Sequence, residues 1–297
     1  MSNKSLTKAK SICCQNSEDA FTFSVSVVLY KTPLTQIADC LATLIDAIRT
    51  CDGLVSHGRS VVVLVDNSPS RIIDDAQFKL LEQDFRESGI KLCIVYGHGN
   101  VGYGSAQNLG FSKCESNGKA FHLFMNPDIT IDRNCLRSAL EFLSKNPSVC
   151  LVSPFCENFA GKQQFLCKRY PSVLDLFLRS INSAWLKSFF HRRMFDYEMR
   201  GMYASSQPTE VLIASGCFMF VRADAISNIG GFDDRYFLYF EDFDLSLRIA
   251  KQGRLMFVPS MRIKHDGGNA SRKGFQHIAM FIRSAARFFN NHGWRWY

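Results

Sequence analysis

The first half of the chain alternates between short β-branched or aromatic runs and longer segments with helical periodicity. The first helical segment has apolar residues three and four apart, at Leu34, Ile37, Leu41, Leu44, Ile45 and Ile48. Four runs have a strand pattern, FTFSVSVVLY (21–30), SVVVLVD (60–66), KLCIVY (91–96) and AFHLFMN (120–126). Strands that alternate with helices predict an α/β fold with a mainly parallel sheet. Ligands bind beyond the carboxyl ends of such strands, so the residues that end each run are candidate site residues.

The remainder of the chain predicts one large domain with an insertion. With 297 residues, of which 46% are hydrophobic, the chain is long enough for one full core. Residues 1–20 are predicted to be a disordered tail, and residues 21–270 the domain. A basic and aromatic stretch at about 156–205 interrupts the alternation and is interpreted as a helical insertion. Residues 271–297 have the pattern of an amphipathic helix, whose predicted apolar face consists of Phe275, Ile278, Ala279, Ile282, Ala286 and Phe289.

Cysteine usage and hydropathy favour a cytoplasmic protein. The eleven cysteines are odd in number, and several lie in apolar context, where free cysteine behaves as a small hydrophobe. Neither a secretory signal nor an apolar run of roughly 20 residues is evident in the sequence.

The net charge of +8 is concentrated in two segments. Residues 160–203 hold eight basic and three acidic residues, and the chain beyond Asp266 has five basic residues and no acidic one. Such concentrated charge indicates an anionic partner, which can be a nucleic acid, a phosphorylated substrate or an anionic membrane. Nucleic acid is the weakest of the three, because no nucleic-acid-binding motif is present and carboxylates cluster at the strand ends.

Polar residues follow the predicted strands. Asp66 closes the second strand, a loop with the sequence GNVGYGSAQNLG (99–110) follows the third, and Asn126-Pro127-Asp128 follows the fourth. A carboxylate in the place of Asp66 can accept the imide N–H of uracil or thymine, and one in the place of Asp128 can bind a divalent ion on a diphosphate. His265 follows the final strand, and imidazole is a common metal ligand. Ordinary turn residues are the alternative for each position.

The stretch YFLYFEDFDLSLR (236–248) places Glu241, Asp242 and Asp244 directly behind a wall of aromatic residues. Acidic residues in the first turn of a helix interact favourably with its dipole, which is the simplest explanation. A solvated acidic patch, however, needs no aromatic neighbours, and buried carboxylates need partners. The segment therefore also fits a catalytic carboxylate in a site that excludes water.

In order along the chain, Asp66, the Gly/Asn loop, N-P-D, the small pair Ser215-Gly216, GGFDDRYFLYFEDFDLSLR and His265 resemble the family 2 glycosyltransferases of the GT-A fold. The resemblance covers about residues 22–270 and is strongest to the bacterial rhamnosyltransferase branch. The N-P-D triplet stands where the family has D-x-D, so only Asp128 matches a metal-binding carboxylate.

The resemblance implies a GT-A sheet flanked by helices and a role for each matching residue. Asp242 would be the catalytic base, with Glu241 as the second choice and Asp244 structural. Mg²⁺ or Mn²⁺ would be held by Asp128 and His265. The nucleotide sugar would be bound by Tyr30, Asp66, Asn100, Gly102, Asn108, Asn126 and Asp128. Ser215 and Gly216 would lie on the acceptor side.

The function implied is inverting transfer of a sugar, with dTDP-L-rhamnose as donor and a cell-surface polysaccharide or lipopolysaccharide precursor, free or lipid-linked, as acceptor. Another donor, such as a UDP-hexose, is the alternative within the class, and a noncatalytic sugar-nucleotide-binding module is the alternative outside it. The basic and aromatic C-terminal segment leaves two possibilities open: peripheral contact with the inner face of the cytoplasmic membrane, or packing on the catalytic core.

Overall fold

The computed structural model describes residues 20–55, 60–113, 120–181, 183–266 and 275–297. The predicted tail, apart from Ala20, and the first four residues of the predicted C-terminal segment lie outside the described residues.

The described helices cover the predicted crossover segments. They are α1 (Leu34–Arg49), α2 (Asp75–Glu87), α3 (Tyr103–Phe111), α4 (Cys135–Lys145), α5 (Val173–Ser180), α6 (Ala184–Phe189), α7 (His191–Tyr197), α8 (Ala223–Ile229), α9 (Glu241–Ile249) and α10 (Phe275–His292). A short 3₁₀ helix follows α7 at Arg200–Ala204.

The strands begin and end within one or two residues of the first four predicted runs. They are β1 (Thr22–Leu29), β2 (Val61–Asp66), β3 (Lys91–Val95), β4 (Ala120–Met125), β5 (Ile129–Ile131), β6 (Val149–Glu157), β7 (Gln163–Gln164), β8 (Cys167–Lys168), β9 (Thr209–Val211), β10 (Ile213–Ala214), β11 (Phe218–Arg222) and β12 (Arg254–His265).

Ten of these strands form one mixed sheet in the described part of the chain, in the order β3-β2-β1-β4-β11-β6-β12-β5, with β7 on β6 and β9 on β12. The first four strands are parallel, as predicted, whereas β11 runs antiparallel to both β4 and β6. The small β8–β10 pair lies outside this sheet. The carboxyl ends of β1 to β4 therefore share one edge, as expected of an α/β fold.

The two faces of the sheet are covered by different helices. Alternate β1 residues such as Val27 and Leu29 belong to the main apolar cluster, which includes Leu41 of α1 and Leu140 of α4. On the opposite face, Val28 packs with Ala106 of α3. That second face also carries Ser24, Ser26 and His122, which are almost completely buried.

The insertion is only partly helical. Its first third contains β7 and β8, and the helices α5 to α7 begin at Val173. The prediction of a helical segment from residue 156 was therefore wrong for about the first 17 residues. The physical reason is strand pairing, because β7 pairs with β6 and β8 pairs with β10. The local sequence pattern does not indicate these pairings.

The C-terminal helix α10 uses a different face from the predicted one. The predicted face was Phe275, Ile278, Ala279, Ile282, Ala286 and Phe289. In the structure Phe288 and Phe289 are buried, whereas Phe275, Ile278 and Ile282 are 90%, 54% and 61% exposed. The contact stripe is centred on Phe281, Ala285 and Phe288, which pack with Tyr236 and Phe240. The apolar arc of this helix is wider than the stripe it buries.

Candidate active site

Residues 236–240, named the catalytic loop because they directly precede the two predicted candidates for the base, lead into α9 with an unusual backbone. Tyr239 and Phe240 both have left-handed conformations, with φ of 70° and 64°. Such angles are unfavourable for bulky residues and persist only where packing fixes them. Phe240 is 5% exposed and lies 5.2 Å from Phe281 and 5.3 Å from Phe288, ring centre to ring centre. Helix α10 therefore holds the loop that starts α9.

Asp242 is held by two backbone N–H groups. Its Oδ2 accepts from the Gly216 N–H at 2.8 Å, and its Oδ1 from the Phe243 N–H at 2.9 Å. Gly216 is small for a reason: a Cβ there would lie 3.0 Å from the Cβ of Asp242. The predicted acceptor-side pair Ser215-Gly216 thus lies against the predicted base.

Glu241 and Asp242 have different electrostatic surroundings. Burial first, and then the Asp242 charge, raises the pKa of Glu241 to about 8, and its Oε2 has no hydrogen-bond partner among the described residues. Burial also raises the pKa of Asp242, but N–H groups and the Arg179 guanidinium oppose this. The proton of the pair therefore resides on Glu241, and Asp242 is the carboxylate available as a base.

Asp244 has the structural position expected of it. Its Oδ2 is 2.7 Å from Arg248 Nε, and its Oδ1 is 2.7 Å from His292 Nε2 of α10. Both oxygens are thereby used in packing α10 and the end of α9 together.

A buried polar chain leads from the sheet to Gly216. The Tyr103 hydroxyl donates to the Gly216 carbonyl at 2.6 Å and accepts from Gln107 Nε2 at 2.9 Å. The other amide atom, Gln107 Oε1, accepts from the Ser26 hydroxyl. Ser26 Oγ is in turn 2.8 Å from His122 Nε2, and Ser24 Oγ is 2.7 Å from His122 Nδ1.

The direction of each hydrogen bond in this chain follows from burial. Burial lowers the pKa of His122 to about 3, so the ring is neutral, with one donor and one acceptor nitrogen. Because the Ser26 hydrogen goes to Gln107, Ser26 accepts from His122 Nε2–H, and Nδ1 accepts from Ser24. Every donor therefore points toward the Gly216 peptide, which presents its own N–H to Asp242.

Asp128 and His265 lie side by side at the end of β12. His265 is the register partner of Ile129 in the β5–β12 pair, which places its Nε2 3.2 Å from Asp128 Oδ1. Burial lowers the pKa of His265, but Cys217 and Asp128 outweigh it and raise the pKa to about 10. Within the described part of the chain, no group of three or more His, Cys, Asp or Glu is arranged to hold a metal. Once a divalent ion displaces the imidazole proton, the carboxylate and imidazole fit that ion, with its other ligands from substrate and water.

Asp66 lines a small cavity at the end of β2. Its carboxylate is 1% exposed and accepts N–H bonds from Ser68 at 3.1 Å and from Ile72 at 2.8 Å. The cavity has a volume of about 90 Å³ and is lined by Asp66, Ser68, Pro69, Arg71, Tyr96, Gly97 and Gly99. The Arg71 guanidinium lies 4.2 Å from the centre of the Tyr96 ring.

The glycine loop is fixed by Asn67, which the sequence argument did not select. Asn67 Nδ2 donates to Asn100 Oδ1 at 3.0 Å, and its Oδ1 accepts from the Val101 N–H at 3.0 Å. Gly102 is needed for a close approach, because a Cβ there would lie 2.5 Å from the Phe237 carbonyl oxygen. The loop thus contacts the catalytic loop directly.

The remaining predicted nucleotide residues lie in different surroundings. Tyr30 is 47% exposed, and the Asn126 N–H donates to the carbonyl of Cys217, which precedes β11, at 2.9 Å. Asn108 is different, because both of its amide atoms bond the Phe232 backbone, at 2.8 and 2.9 Å. The structure therefore gives Asn108 a role in joining α3 to the segment before the catalytic loop.

Tyr103, Gln107 and Asn67 are the site residues that sequence reasoning missed. Asn67 directly follows Asp66 at a strand end, which is the signal that could have selected it. Tyr103 and Gln107 lie one turn apart in α3, and only the fold places them under Gly216.

The chain belongs to glycosyl transferase family 2, whose model matches residues 24–230. It is 29% identical over 209 residues to the N-acetylglucosaminyl-diphospho-decaprenol L-rhamnosyltransferase of Mycobacterium tuberculosis. The match covers 66% of this chain and 66% of that one, so the chain spans just under two thirds of the length of that relative. It is 25% identical to the rhamnosyltransferase WbbL of Escherichia coli K12, over 79% of this chain and 91% of that one.

Solved structures support the fold. GalNAc-T7 with UDP, GalNAc and Mn2+ superposes with a TM-score of 0.61 at 13% identity, over 93% of this chain and 52% of that one. A mannosyltransferase from Pyrobaculum calidifontis with GDP-Man and Mn2+ gives 0.54 at 16% identity, over 90% and 65%. The predicted GT-A fold is confirmed.

We expect Tyr103→Phe to lower the free energy of unfolding by about 1–3 kcal/mol, because it leaves the buried Gly216 carbonyl and the Gln107 amide without a partner. Urea denaturation measures this. The matched control is Tyr297→Phe, at a residue that is 83% exposed, which should change stability by less than about 0.5 kcal/mol. Equal stability of the two variants would contradict the buried chain described above.

The raised pKa of Glu241 predicts a specific pH dependence of stability. Between its ordinary value of 4.5 and about 8 the folded protein retains a proton that the unfolded chain releases, so stability falls as pH rises, by at most about 1.4 kcal/mol per unit. Glu241→Gln should remove this contribution, so that the urea-unfolding free energy falls less steeply between pH 5 and 8 than in the wild type. An unchanged slope would mean that Glu241 is ionised in the folded state.

Proposed function

We propose that the protein is an inverting, metal-assisted glycosyltransferase that moves L-rhamnose from dTDP-L-rhamnose to a lipid-linked saccharide in the assembly of a cell-surface polysaccharide or lipopolysaccharide. The single observation that carries the proposal is the buried Glu241-Asp242 pair, in which Asp242 is fixed by the Gly216 N–H at 2.8 Å within a family 2 fold. The names of the two rhamnosyltransferase relatives support the choice of sugar.

In the proposed mechanism Asp242 accepts the proton of the acceptor hydroxyl while that oxygen attacks the anomeric carbon from the face opposite the nucleotide. The anomeric C–O bond to the nucleoside diphosphate breaks as the new bond forms, so the configuration inverts. Gly216 and Phe243 N–H groups hold the carboxylate in one orientation. The aromatic residues of the catalytic loop exclude water, which would otherwise hydrolyse the donor.

The donor's diphosphate is proposed to lie at Asp128 and His265. A divalent cation there supplies neutralisation of the charge that develops on the leaving group. Asp128 and His265 would hold that ion, since a carboxylate and an imidazole are both common ligands of divalent metals.

Asp66 is proposed to recognise the base. The carboxylate accepts two backbone N–H groups and still has lone pairs for the imide N–H of a pyrimidine, while the Tyr96 ring supplies a face for stacking. Thymine and uracil share that imide, so a UDP-hexose is the second candidate donor.

A noncatalytic nucleotide-sugar-binding module is less well supported, because binding alone requires no buried carboxylate pair behind the acceptor side.

The attachment surface is proposed to consist of the exposed stripe of α10 and the C-terminal tail, and to bind the inner face of the cytoplasmic membrane. The stripe is Phe275, Ile278 and Ile282, beside the exposed Arg283. Trp294 and Trp296 stack at 5.1 Å and are 47% and 62% exposed. Aromatic and basic side chains together favour the headgroup region of an anionic bilayer. Among the described helices, none is both long and apolar enough to span a membrane.

We expect Asp242→Asn to reduce turnover by about 10²- to 10⁴-fold, the usual contribution of a general base, with little change in donor binding. Transfer from dTDP-L-rhamnose and binding of dTDP by calorimetry measure the two effects. The control is Asp234→Asn, an exposed carboxylate on the same segment, which should keep wild-type turnover. If Asp242→Asn keeps it as well, the base is assigned to Glu241.

The metal proposal predicts that Asp128→Ala and His265→Ala each raise the Mn²⁺ or Mg²⁺ concentration needed for half-maximal activity. Titration of metal-free enzyme, together with Mn²⁺ binding followed by electron paramagnetic resonance, measures this. His98→Ala, in the glycine-rich region after β3, is the control and should leave both titrations unchanged. Full activity of the wild type in excess EDTA would exclude the metal.

The membrane proposal predicts that the wild type co-sediments with anionic phosphatidylglycerol vesicles and is released by high salt. Replacing Phe275, Ile278 and Ile282 by Ser should reduce partitioning at least about tenfold, since each apolar side chain buried in the interface contributes on the order of 1.5 kcal/mol. The control is Leu80→Ser, at a 71% exposed leucine on α2. Failure of the wild type to bind at low salt would show that α10 serves only in packing.

A further inference from the structure

Two basic residues of the insertion, Lys168 and Arg179, are brought together by Tyr197. The Tyr197 carbonyl accepts from the N–H of Arg169, the residue after Lys168, at 2.9 Å. Lys168 ends β8, and Arg179 lies near the end of α5. The Lys168 ammonium is buried and donates to the Phe165 carbonyl. Arg179 is exposed, and its guanidinium carbon lies 6.0 Å from the centre of the Tyr197 ring.

The fold ties this pair of cations to the catalytic centre. In the β8–β10 pair, Lys168 is opposite Ile213, and the Ser215 N–H donates to the Leu166 carbonyl at 3.0 Å. The next residue is Gly216, whose N–H holds Asp242. Arg179 is also near enough to Asp242 for its charge to hold down the pKa of that carboxylate.

Neither cation has a carboxylate of its own. Arg193 is paired with Asp175 at 2.6 Å, and Arg200 with Glu198 at 2.6 Å, whereas no ion pair of the described residues includes Lys168 or Arg179. Burial, and then repulsion by Arg179, lowers the pKa of Lys168 to about 8. Two adjacent cations that repel one another are stabilised by an anion placed between them and solvent.

We propose that Arg179 binds the diphosphate of the acceptor, with Lys168 behind it adding positive potential. This inference rests on the proposed function, because it requires an acceptor in which a sugar is linked to a lipid through a diphosphate. Such an acceptor presents its hydroxyl on one side of the sugar ring and its diphosphate on the other. A guanidinium binds two phosphate oxygens through parallel N–H bonds and also neutralises part of their charge, whereas an uncharged side chain supplies no such charge.

The position favours the diphosphate of the acceptor over that of the donor. The Arg179 charge lowers the pKa of Asp242, the carboxylate proposed to take the proton of the acceptor hydroxyl. The donor diphosphate is proposed to lie elsewhere, at the pair formed by His265 and Asp128. The insertion also joins the acceptor side through Ser215 and contacts the C-terminal tail, where the Val173 N–H donates to the Arg295 carbonyl at 2.8 Å. The subsite therefore lies between Asp242 and the surface proposed to meet the membrane.

The test compares two acceptors that differ in the diphosphate: N-acetylglucosamine linked to a short prenyl diphosphate, and octyl N-acetylglucosaminide, which is neutral. Arg179→Ala should lower kcat/KM for the diphosphate acceptor by about 10- to 100-fold, as expected for a lost charge-assisted contact. It should leave the KM of the donor within about twofold, and the loss with the neutral acceptor, which reflects only the effect of Arg179 on Asp242, should be clearly smaller. Arg179→Lys should recover part of the loss, and Arg192→Ala, an exposed arginine of α7, is the matched control.

Four results would overturn the inference. An equal loss with both acceptors would mean that Arg179 acts only through Asp242. A raised KM of the donor, with the preference between acceptors unchanged, would assign Arg179 to the donor diphosphate. A wild type that uses the neutral acceptor as well as the charged one would exclude a diphosphate subsite while leaving the proposed function intact. A wild type that transfers sugar to neither acceptor would instead reject the proposed function, and with it this subsite. Thermal unfolding of each variant verifies the fold.

Discussion

The hydrogen bond from the Gly216 N–H to Asp242 is the contact on which the rest of the site depends. A buried pair of neighbouring acids is unfavourable, because both groups lose solvation and repel each other when both are ionised. The N–H groups of Gly216 and Phe243 stabilise the charge on Asp242 selectively, so that Glu241 carries the proton. The pair has therefore become asymmetric, and this asymmetry is what distinguishes a base from a carboxylic acid.

The Gly216 peptide keeps its orientation because the other half of that peptide unit is also constrained. Its carbonyl accepts from Tyr103, and the chain through Gln107 and Ser26 ends at the buried, neutral His122. A network whose members are all satisfied specifies one arrangement, whereas a partly satisfied one would be worse than an apolar core. Serines in the middle of β1 are poor core residues by themselves. Their presence is explained by a network that extends from the centre of the sheet to the Gly216 peptide beside Asp242.

Periodicity and motif order were sufficient to predict the fold and most of the residues placed at the strand ends. The first four strands and α1 follow from patterns that are local, as do Asp66, the last residue of β2, and Asp128, which lies in the turn after β4. The buried polar chain could not be predicted, because it joins residues about 80 to 110 positions apart through side-chain geometry. The α10 error has another cause: its apolar arc includes two adjacent stripes, and only the position of Phe240 decides which of them is buried.

Residues 231–297 lie beyond the family match, which ends at residue 230, yet they contain the carboxylate pair and the helix that fixes it. The left-handed Tyr239 and Phe240 cost on the order of 1–3 kcal/mol each, which local sequence does not recover. Burial of Phe240 against Phe281 and Phe288, together with the Ser284 hydroxyl on the Leu238 carbonyl at 2.8 Å, opposes that cost. A fully buried phenylalanine contributes about 1.5–3 kcal/mol, so at least two such contacts are needed to hold the loop. The start of α9, and with it the direction of Asp242, is therefore determined by α10, and the family match alone does not fix the geometry of the proposed base.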